Sequence, residues 1–208
     1  MHKNNLDEKE IYQKLIILGK SKDTPNILIP QITKYLNHPS KKVKAKILWM
    51  LGELGLKNPE KIAPYVFKIA HELKNEDAKI RQRAVGALGR IGRSNFEFIE
   101  SYISTILSTA TDPNPDVRMN CIWAYENIAT TSPDVFNSSM EIFAKLLDDE
   151  EIRVRRESPE IFRVIGKRLP ALVAPYIQKL KEVSKTDPDN IVRIHADGAI
   201  KTSIKQIN

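Results

Sequence analysis

Two tryptophans and a few polar side chains are the residues of this sequence best suited to hold another molecule. Trp49 and Trp123 can stack on flat or aliphatic groups, and Asn127, four residues after Trp123, can both donate and accept hydrogen bonds. Cations about one helical turn before or after the tryptophan position of their segment can pair with acidic groups; they are Lys46, Arg83 and Arg90. These types predict a binding surface and include no candidate catalytic residue.

The residues that usually carry chemistry are scattered. The histidines, His2, His38, His71 and His195, lack the spacing of metal ligands, and there is a single cysteine, Cys121. The stretch "GALGRIG" follows no strand, so it does not indicate a phosphate loop. We therefore expect no metal site, no cofactor and no enzymatic activity.

The candidate residues lie in five segments that align without gaps. Each segment begins with a β-branched residue and a base; the starts are Val43, Ile80, Val117, Val154 and Val192, spaced by 37, 37, 37 and 38 residues. Apolar or small residues recur at helical spacing within each segment, and a polar turn and a second amphipathic stretch precede it. The repeating unit is helix A, turn, helix B, which must stack on its neighbours to bury its apolar face.

This pattern predicts an all-α protein of one domain over residues 1–208. An N-terminal capping helix is expected at about residues 6–19. About five helical pairs follow, at about residues 24–57, 58–94, 95–131, 132–168 and 169–206.

Four prolines fall within the helical stretches. Pro30, Pro64 and Pro175 lie in A helices and should bend them or delay their start. Pro159 lies midway along the fourth B helix, where the first three repeats have an aliphatic residue. We expect a kink or a break there.

The register of the B helix separates core from surface. Counted from the first residue of each segment, positions one, five, eight, nine and twelve carry the apolar stripe. Position seven lies off that stripe and reads Trp49, Gly86, Trp123, Glu160 and Gly198. A core column would not combine Trp, Gly and Glu, so we expect the two rings to be displayed, with a notch at Gly86. The alternative is that both rings lie flat over their neighbours and only pack.

The turn "DPNPDVR", the small and apolar residues after it and "ALGRIG" resemble HEAT repeats over about residues 24–206. The resemblance implies a right-handed α–α superhelix, a HEAT-type solenoid whose B helices line the concave face. It implies little about function, because such solenoids serve as scaffolds, adaptors, transport factors and occasionally enzymes.

In HEAT repeats the turn acid and the following arginine commonly form a ladder between repeats. Asp112, Asp149 and Asp187 match that acid, whereas Asn75 and His38 stand in its place in the earlier repeats. The resemblance therefore implies a ladder that weakens towards the N-terminal end, with the basic column mainly structural.

The stretch "WAYENIA" is similar to the third helix of armadillo repeats in importin-alpha-type carriers, whose tryptophan stacks on a lysine stem and whose asparagine holds the peptide backbone. Trp123 and Asn127 would take those roles. Trp49 is followed by Glu53 instead of asparagine, and a basic cargo would meet the three cations named above. The similarity thus favours an extended peptide in the groove over an importin-like carrier.

A further resemblance is to HEAT-like alkylpurine DNA glycosylases, which use a tryptophan-lined concave surface, an aspartate and basic contacts to DNA. No aspartate lies beside either tryptophan here, and the nearest substitutes are Glu53 and Glu126. This enzymatic alternative is the least favoured.

The net charge of +7 is unevenly distributed. Residues 1–104 carry a net charge of +8, residues 105–208 of −1, and residues 112–160 of −6. A basic first half favours an acidic part of a partner, and the acidic middle disfavours a uniform polyanion. The absence of long apolar runs predicts no membrane span, and the single cysteine suits a reducing compartment, so we expect a cytoplasmic protein.

The sequence therefore predicts a non-enzymatic scaffold or adaptor that binds a protein or peptide along the concave B-helix face. The expected contact residues are Trp49, Trp123, Asn127, Lys46, Arg83 and Arg90. A nucleic-acid-binding solenoid is the alternative.

Overall fold

The computed structural model describes residues 7–205, which form helices and turns and contain no strand. His2 and the outer ends of the predicted cap and last repeat lie outside this range. No helix within it has the length and apolar character needed to cross a membrane.

The helices follow the repeat in chain order. They are α1 (Glu8–Lys20), α2 (Pro25–Thr33), α3 (Lys41–Lys57), α4 (Pro59–Ile62), α5 (Val66–His71), α6 (Ala78–Ser94), α7 (Ile103–Ser108), α8 (Pro115–Ala129), α9 (Met140–Leu146), α10 (Ile152–Gly166), α11 (Pro170–Val173), α12 (Ile177–Thr186) and α13 (Asn190–Ile204). The B helices are α3, α6, α8, α10 and α13, and the shorter helices between them form the A layer.

The A layer is interrupted at the same place in four repeats. Pro64 and Pro175 lie in 3-10 turns, Ala63–Tyr65 and Ala174–Tyr176, which separate α4 from α5 and α11 from α12. The A helices are therefore interrupted at these prolines, where we expect a bend or a delayed start. The third and fourth repeats also have 3-10 turns there, Glu100–Tyr102 and Pro133–Ser138, so the interruption belongs to the repeat itself. Pro30 lies within α2.

Of the two outcomes predicted at Pro159, a kink or a break, the break is wrong, because α10 runs without interruption from Ile152 to Gly166. Proline removes one N–H from the helix ladder. The proline ring is buried, and so are Ile161 and Phe162, which follow it after Glu160. Packing on both flanks therefore holds the helix together across the missing hydrogen bond.

Each B helix begins at a side-chain cap, as the polar turns predict. Asp77 accepts hydrogen bonds from the backbone N–H groups of Lys79 and Ile80, and Asp189 does the same for α13. The other caps are Ser40, Asn114 and Glu151. These caps satisfy donors that a helix start leaves unpaired and fix where each B helix begins.

A ladder of ion pairs joins each turn to the next. Arg118 donates from Nε and Nη2 to the two carboxylate oxygens of Asp149, each at 2.7 Å, and from Nη1 to the carbonyl of Asp112 at 2.9 Å. Arg81 binds Asp112 in the same two-pronged way, whereas Arg155 binds Asp187 through Nε alone, at 3.0 Å. The basic column is therefore mainly structural: each of these three arginines ties its own turn to the following repeat.

The ladder is altered at its N-terminal end. Lys44 reaches Glu72, three residues before the usual acid position, with a single contact of 2.9 Å. Asn75, which stands at that position, donates to the other oxygen of Glu72 at 2.7 Å. The expected weakening is confirmed in that one lysine contact replaces a two-pronged arginine contact, although the connection is kept.

Neighbouring B helices approach closely through glycine. A Cβ on Gly52 would lie 2.8 Å from the Cα of Ala87, and one on Gly89 would lie 2.5 Å from the Cα of Ala124. The predicted stripe is buried, and position six, which the sequence analysis left out, is also buried in the first four repeats. The close approach of the neighbouring helices on each side buries this additional column.

Candidate functional site

A recess lies across the B helices between the two tryptophans. It encloses about 120 Å³ and is lined by residues of α3, α6 and α8, including Trp49, Gly86 and Trp123. A Cβ on Gly86 would stand 3.3 Å from Arg90 and from Asn120, so any side chain at this position would narrow the recess. The notch expected between the tryptophans is present.

Trp123 is displayed on this face. Its side chain is 37% exposed, and its indole N–H donates to Glu157 on α10 at 2.9 Å. The hydrogen bond fixes the orientation of the ring and leaves part of its surface open to solvent. Such a ring offers a rigid apolar anchor to a partner.

Trp49 is half-buried, and the ammonium of Lys46 lies 4.3 Å from the centre of its ring. This cation–π contact uses one face of the indole. Burial, and then the nearby charge of Arg83, lowers the pKa of Lys46. Two cations that repel each other at the edge of a recess are arranged to favour an anion between them.

The two arginines of the predicted set differ. Arg90 is already engaged, because its guanidinium contacts Glu53 at 2.9 Å and donates to the carbonyl of Gly86 at 3.0 Å. Arg83 forms no ion pair within residues 7–205 and lines both the recess and the neighbouring pocket. Arg83 is thus the arginine available to a partner, whereas Arg90 shapes the floor.

The amide of Asn127 is partly used within the protein. Its Nδ2 donates to the carbonyl of Trp123 at 2.8 Å, and its Oδ1 accepts from Arg93 at 3.3 Å. One N–H of the amide remains for a partner. The armadillo-like role implied for this residue is therefore open to one donated hydrogen bond in this side-chain orientation.

Gln82 supplies an unexpected polar group at the recess. Its side chain is only 9% exposed, and its Oε1 has no hydrogen-bond partner within the described chain. A buried acceptor left unpaired costs about 1–3 kcal/mol. That oxygen is itself buried, so a partner in the recess reaches it only if the Gln82 side chain changes its rotamer.

A larger basic pocket of about 510 Å³ adjoins the recess at its N-terminal end. We use the name basic pocket for the site formed by Tyr12, Lys42, Lys46, Trp49, Lys79 and Arg83. The ammonium of Lys42 stacks on the Tyr12 ring at 4.4 Å, as Lys46 does on Trp49. Cations and aromatic rings alternate along this pocket.

Several carboxylates gather further along the face, on α8 and α10. Glu157 and Glu160 lie on α10, and Glu160 is paired with Arg163. Glu126 lies mostly buried beside them, and one of its carboxylate oxygens has no hydrogen-bond partner in the described range. Burial raises the pKa of Glu126 to about 8, and the charges of Glu157 and Glu160 add to the effect.

The positions of the nearby carboxylates argue against the DNA-glycosylase alternative. Of the two carboxylates nearest the tryptophans, Glu53 is held by Arg90 and Glu126 is buried between helices. Within residues 7–205, no cluster of three or more metal-ligating side chains is present. Neither carboxylate stands free over the recess.

Sequence reasoning missed part of this face. Lys42 and Lys79 could have been found from the repeat, because both immediately precede the first residue of their segment. Glu157 stands at the same position of its segment as Lys46 and Arg83, but the sequence does not show that it accepts a hydrogen bond from Trp123. Tyr12 had no such signal, because α1 precedes the first repeat and its register cannot be aligned with the B helices.

A family model for HEAT repeats matches the chain over residues 29–97 and 67–161. No curated protein matches it by sequence. These matched ranges include the two tryptophans and the ladder turns as far as Asp149, but not the turn with Asp187.

The solved structures similar to this one include several armadillo-type solenoids. A designed armadillo repeat protein in complex with the peptide (KR)4 has a TM-score of 0.71 at 20% identity, covering 96% of this chain and 95% of that one. Computationally designed armadillo repeat proteins for modular peptide recognition give 0.71 at 18% identity, with coverage of 96% and 95%. An engineered protein gives 0.72 at 15% identity, with coverage of 95% and 90%. At these identities the similarity shows a shared fold.

Proposed function

The chain belongs to the HEAT-repeat family, and from this premise we propose that it is a non-enzymatic scaffold that binds an extended segment of a protein along its B-helix face. The recess between Trp49 and Trp123 carries the proposal. It combines an exposed, oriented indole, a glycine notch and the guanidinium of Arg83, which has no ion-pair partner in the described range. Aromatic anchors beside a small number of polar groups are typical of surfaces that hold peptides.

The structural relatives support this choice. One of them is a designed solenoid with a bound peptide, and others were designed for peptide recognition. Their overall architecture covers nearly all of this chain, so a peptide lying across successive B helices is compatible with the fold. The residues that would contact it here are our proposal: Trp49, Trp123, Asn127, Lys46, Arg83 and Arg90.

Nucleic acid is the second candidate, and the basic pocket is the observation that favours it. Cations beside aromatic rings can hold phosphates and stack on bases. A polyanion that continued along the face would then meet Glu157 and Glu160. Because these carboxylates would repel a polyanion, a protein segment is the favoured partner.

Selection from a phage-displayed library of random dodecapeptides tests the proposal. We expect the immobilised protein to enrich a limited set of sequences whose synthetic peptides bind with micromolar affinity. Trp123→Ala should weaken these peptides at least tenfold, because it removes an anchor at the centre of the face. Phe67→Ala is the matched control, since Phe67 is an exposed aromatic residue on an A helix.

Circular dichroism of each variant verifies that it is folded. A library that yields no enriched sequence, or peptides that bind the Trp49→Ala/Trp123→Ala protein as tightly as the wild type, would contradict the proposal.

A further inference from the structure

We infer that the basic pocket is an anion-binding subsite for acidic side chains of the partner segment, which then passes the Gly86 notch towards Trp123. This inference rests on the proposed function and assigns the chemistry of one end of the ligand. The pocket and the recess share Trp49 and Arg83, so a single chain can occupy both.

The charge of the pocket is not neutralised from within. Five cationic side chains border it, and the one carboxylate among its lining residues, Asp77, is held by Lys41 at 3.0 Å. The other four cations form no ion pair within residues 7–205. They are Lys42, Lys46, Lys79 and Arg83. A carboxylate from outside would relieve their mutual repulsion and find several donors at once.

The cations are also held in place. Lys42 and Lys46 rest on aromatic rings, Tyr12 and Trp49, at 4.4 and 4.3 Å. Stacking restricts these flexible side chains before a ligand arrives, so less conformational entropy is lost on binding. The rings therefore serve the site by positioning the ammonium groups as well as by offering apolar surface.

The spacing of the helices sets the length of the segment. Packed helices lie about 8–10 Å apart, so α3 and α8 are about 20 Å apart with α6 between them. An extended chain rises about 3.3 Å per residue, which places about six residues between the acidic group and the residue at Trp123.

The far end of the face argues against a continuous polyanion. Glu157 has the Trp123 indole N–H as its hydrogen-bond partner and no cation paired with it in the described chain. The ligand should therefore be acidic where it meets the basic pocket and neutral or basic where it meets α10. A protein segment can change charge along its length in this way, whereas a nucleic-acid backbone cannot.

Fluorescence anisotropy with three labelled dodecapeptides tests the inference. Each begins with four identical residues, glutamate, glutamine or lysine, followed by the same eight neutral residues. We expect the glutamate peptide to bind at least tenfold more tightly than the glutamine peptide at 50 mM salt, and the lysine peptide to bind least. The Lys46→Met/Arg83→Gln variant should remove this preference, because it takes away two of the unpaired cations.

A double variant with the same loss of charge, Lys61→Met/Arg168→Gln, serves as the control and should bind like the wild type. Equal binding of the three peptides, no measurable binding of the glutamate peptide, or a preference that survives in Lys46→Met/Arg83→Gln would overturn the inference.

A single-stranded DNA dodecamer is the competing ligand. If it bound more tightly than the glutamate peptide and lost affinity in the same variant, the pocket would belong to a nucleic-acid site and the inference would be wrong. Failure of the underlying proposal has a different signature. Library peptides that require Trp123 but contain no acidic residues would contradict this inference alone. A library without enriched peptides would contradict the proposed function.

Discussion

Glu126 stands at the tenth position of its B helix, where the first two repeats have Gly52 and Gly89. Those glycines allow the next helix to approach closely, and the glutamate instead places a carboxyl group in the junction between α8 and α10. The surroundings favour its neutral form, since burial raises its pKa to about 8. The same chain position is therefore a packing device in two repeats and a titratable group in the third.

This group should make the stability of the protein depend on pH. In the unfolded chain the carboxyl ionises near pH 4.5, but in the folded chain it retains its proton up to about pH 8. The stability it contributes below pH 4.5 is lost as the pH rises through 8. Relative to Glu126→Gln, the wild type should lose about 1–3 kcal/mol of unfolding free energy between pH 5 and pH 9.

Urea unfolding of both proteins at the two pH values measures this difference, and the comparison cancels the titration of histidines. Glu141→Gln is the control, because Glu141 is an exposed residue on α9 paired with Lys145. Parallel pH profiles for the wild type and Glu126→Gln would show that the carboxyl is solvated.

At the scale of the helices, stability depends on close contacts between neighbouring B helices, and Gly89 lies at one of these contacts. Alanine normally stabilises a helix by about 1 kcal/mol relative to glycine. At Gly89 the added methyl group would lie 2.5 Å from the Cα of Ala124, so Gly89→Ala should instead destabilise the protein by about 1–3 kcal/mol.

Gly198→Ala provides the opposite expectation on α13, because the nearest atom to its added methyl group is 3.9 Å away, on Arg163. This variant should be as stable as the wild type or up to about 1 kcal/mol more stable. Thermal and urea unfolding of both variants measure the contrast. Equal effects would mean that the B helices can move apart at no cost.

The ladder should contribute unequally along the chain. Arg118, which is 7% exposed and binds Asp149 through two hydrogen bonds, should be the most sensitive rung. Arg118→Met leaves the buried Asp149 without its cation and should cost about 3–5 kcal/mol. Arg193→Met should cost less, because within residues 7–205 Arg193 contacts the carbonyls of its own turn and no acid of another repeat.

Chemical denaturation of the two methionine variants compares these positions directly. A larger loss for Arg193→Met than for Arg118→Met would contradict the view that the pairs between turns carry the effect.

The repeat explains how much could be predicted from the sequence. A spacing of 37 residues reports which positions share an environment, so it predicted the helix pairs, the B-helix stripe and the face that carries Trp123. It does not report which side chain of the next repeat lies opposite. Three features depend on which side chains of neighbouring helices lie opposite each other. They are the contact of Lys44 with Glu72, the burial of Glu126 and the place of Tyr12 in the basic pocket.

For the whole molecule, the junction between α8 and α10 should be the weakest when Glu126 is ionised. Both tryptophans lie before this junction, so their emission and the helical signal report different parts of the chain. At pH 9 we expect circular dichroism to fall at lower urea concentrations than the emission of Trp49 in a Trp123→Phe background. The two transitions should coincide at pH 5, where the carboxyl is neutral.

Adding Glu126→Gln to the same background should restore coincidence at pH 9. Separate transitions at both pH values, or coincident ones throughout, would show that the charge of this residue does not control cooperation between the two parts of the chain.

The ladder that joins turn to turn has a consequence for the reach of the molecule. Each rung links a repeat only to its successor, through an arginine and an aspartate 31 residues further on for Arg81 and Arg118. A 37-residue unit inserted in phase would meet matching partners at both of its ends. It would also move Trp49 and Trp123 apart by one helix spacing. The distance between the two tryptophans therefore changes in steps of one helix spacing. Evolution or design can match it to the separation of two anchors on a ligand by adding or removing whole repeats.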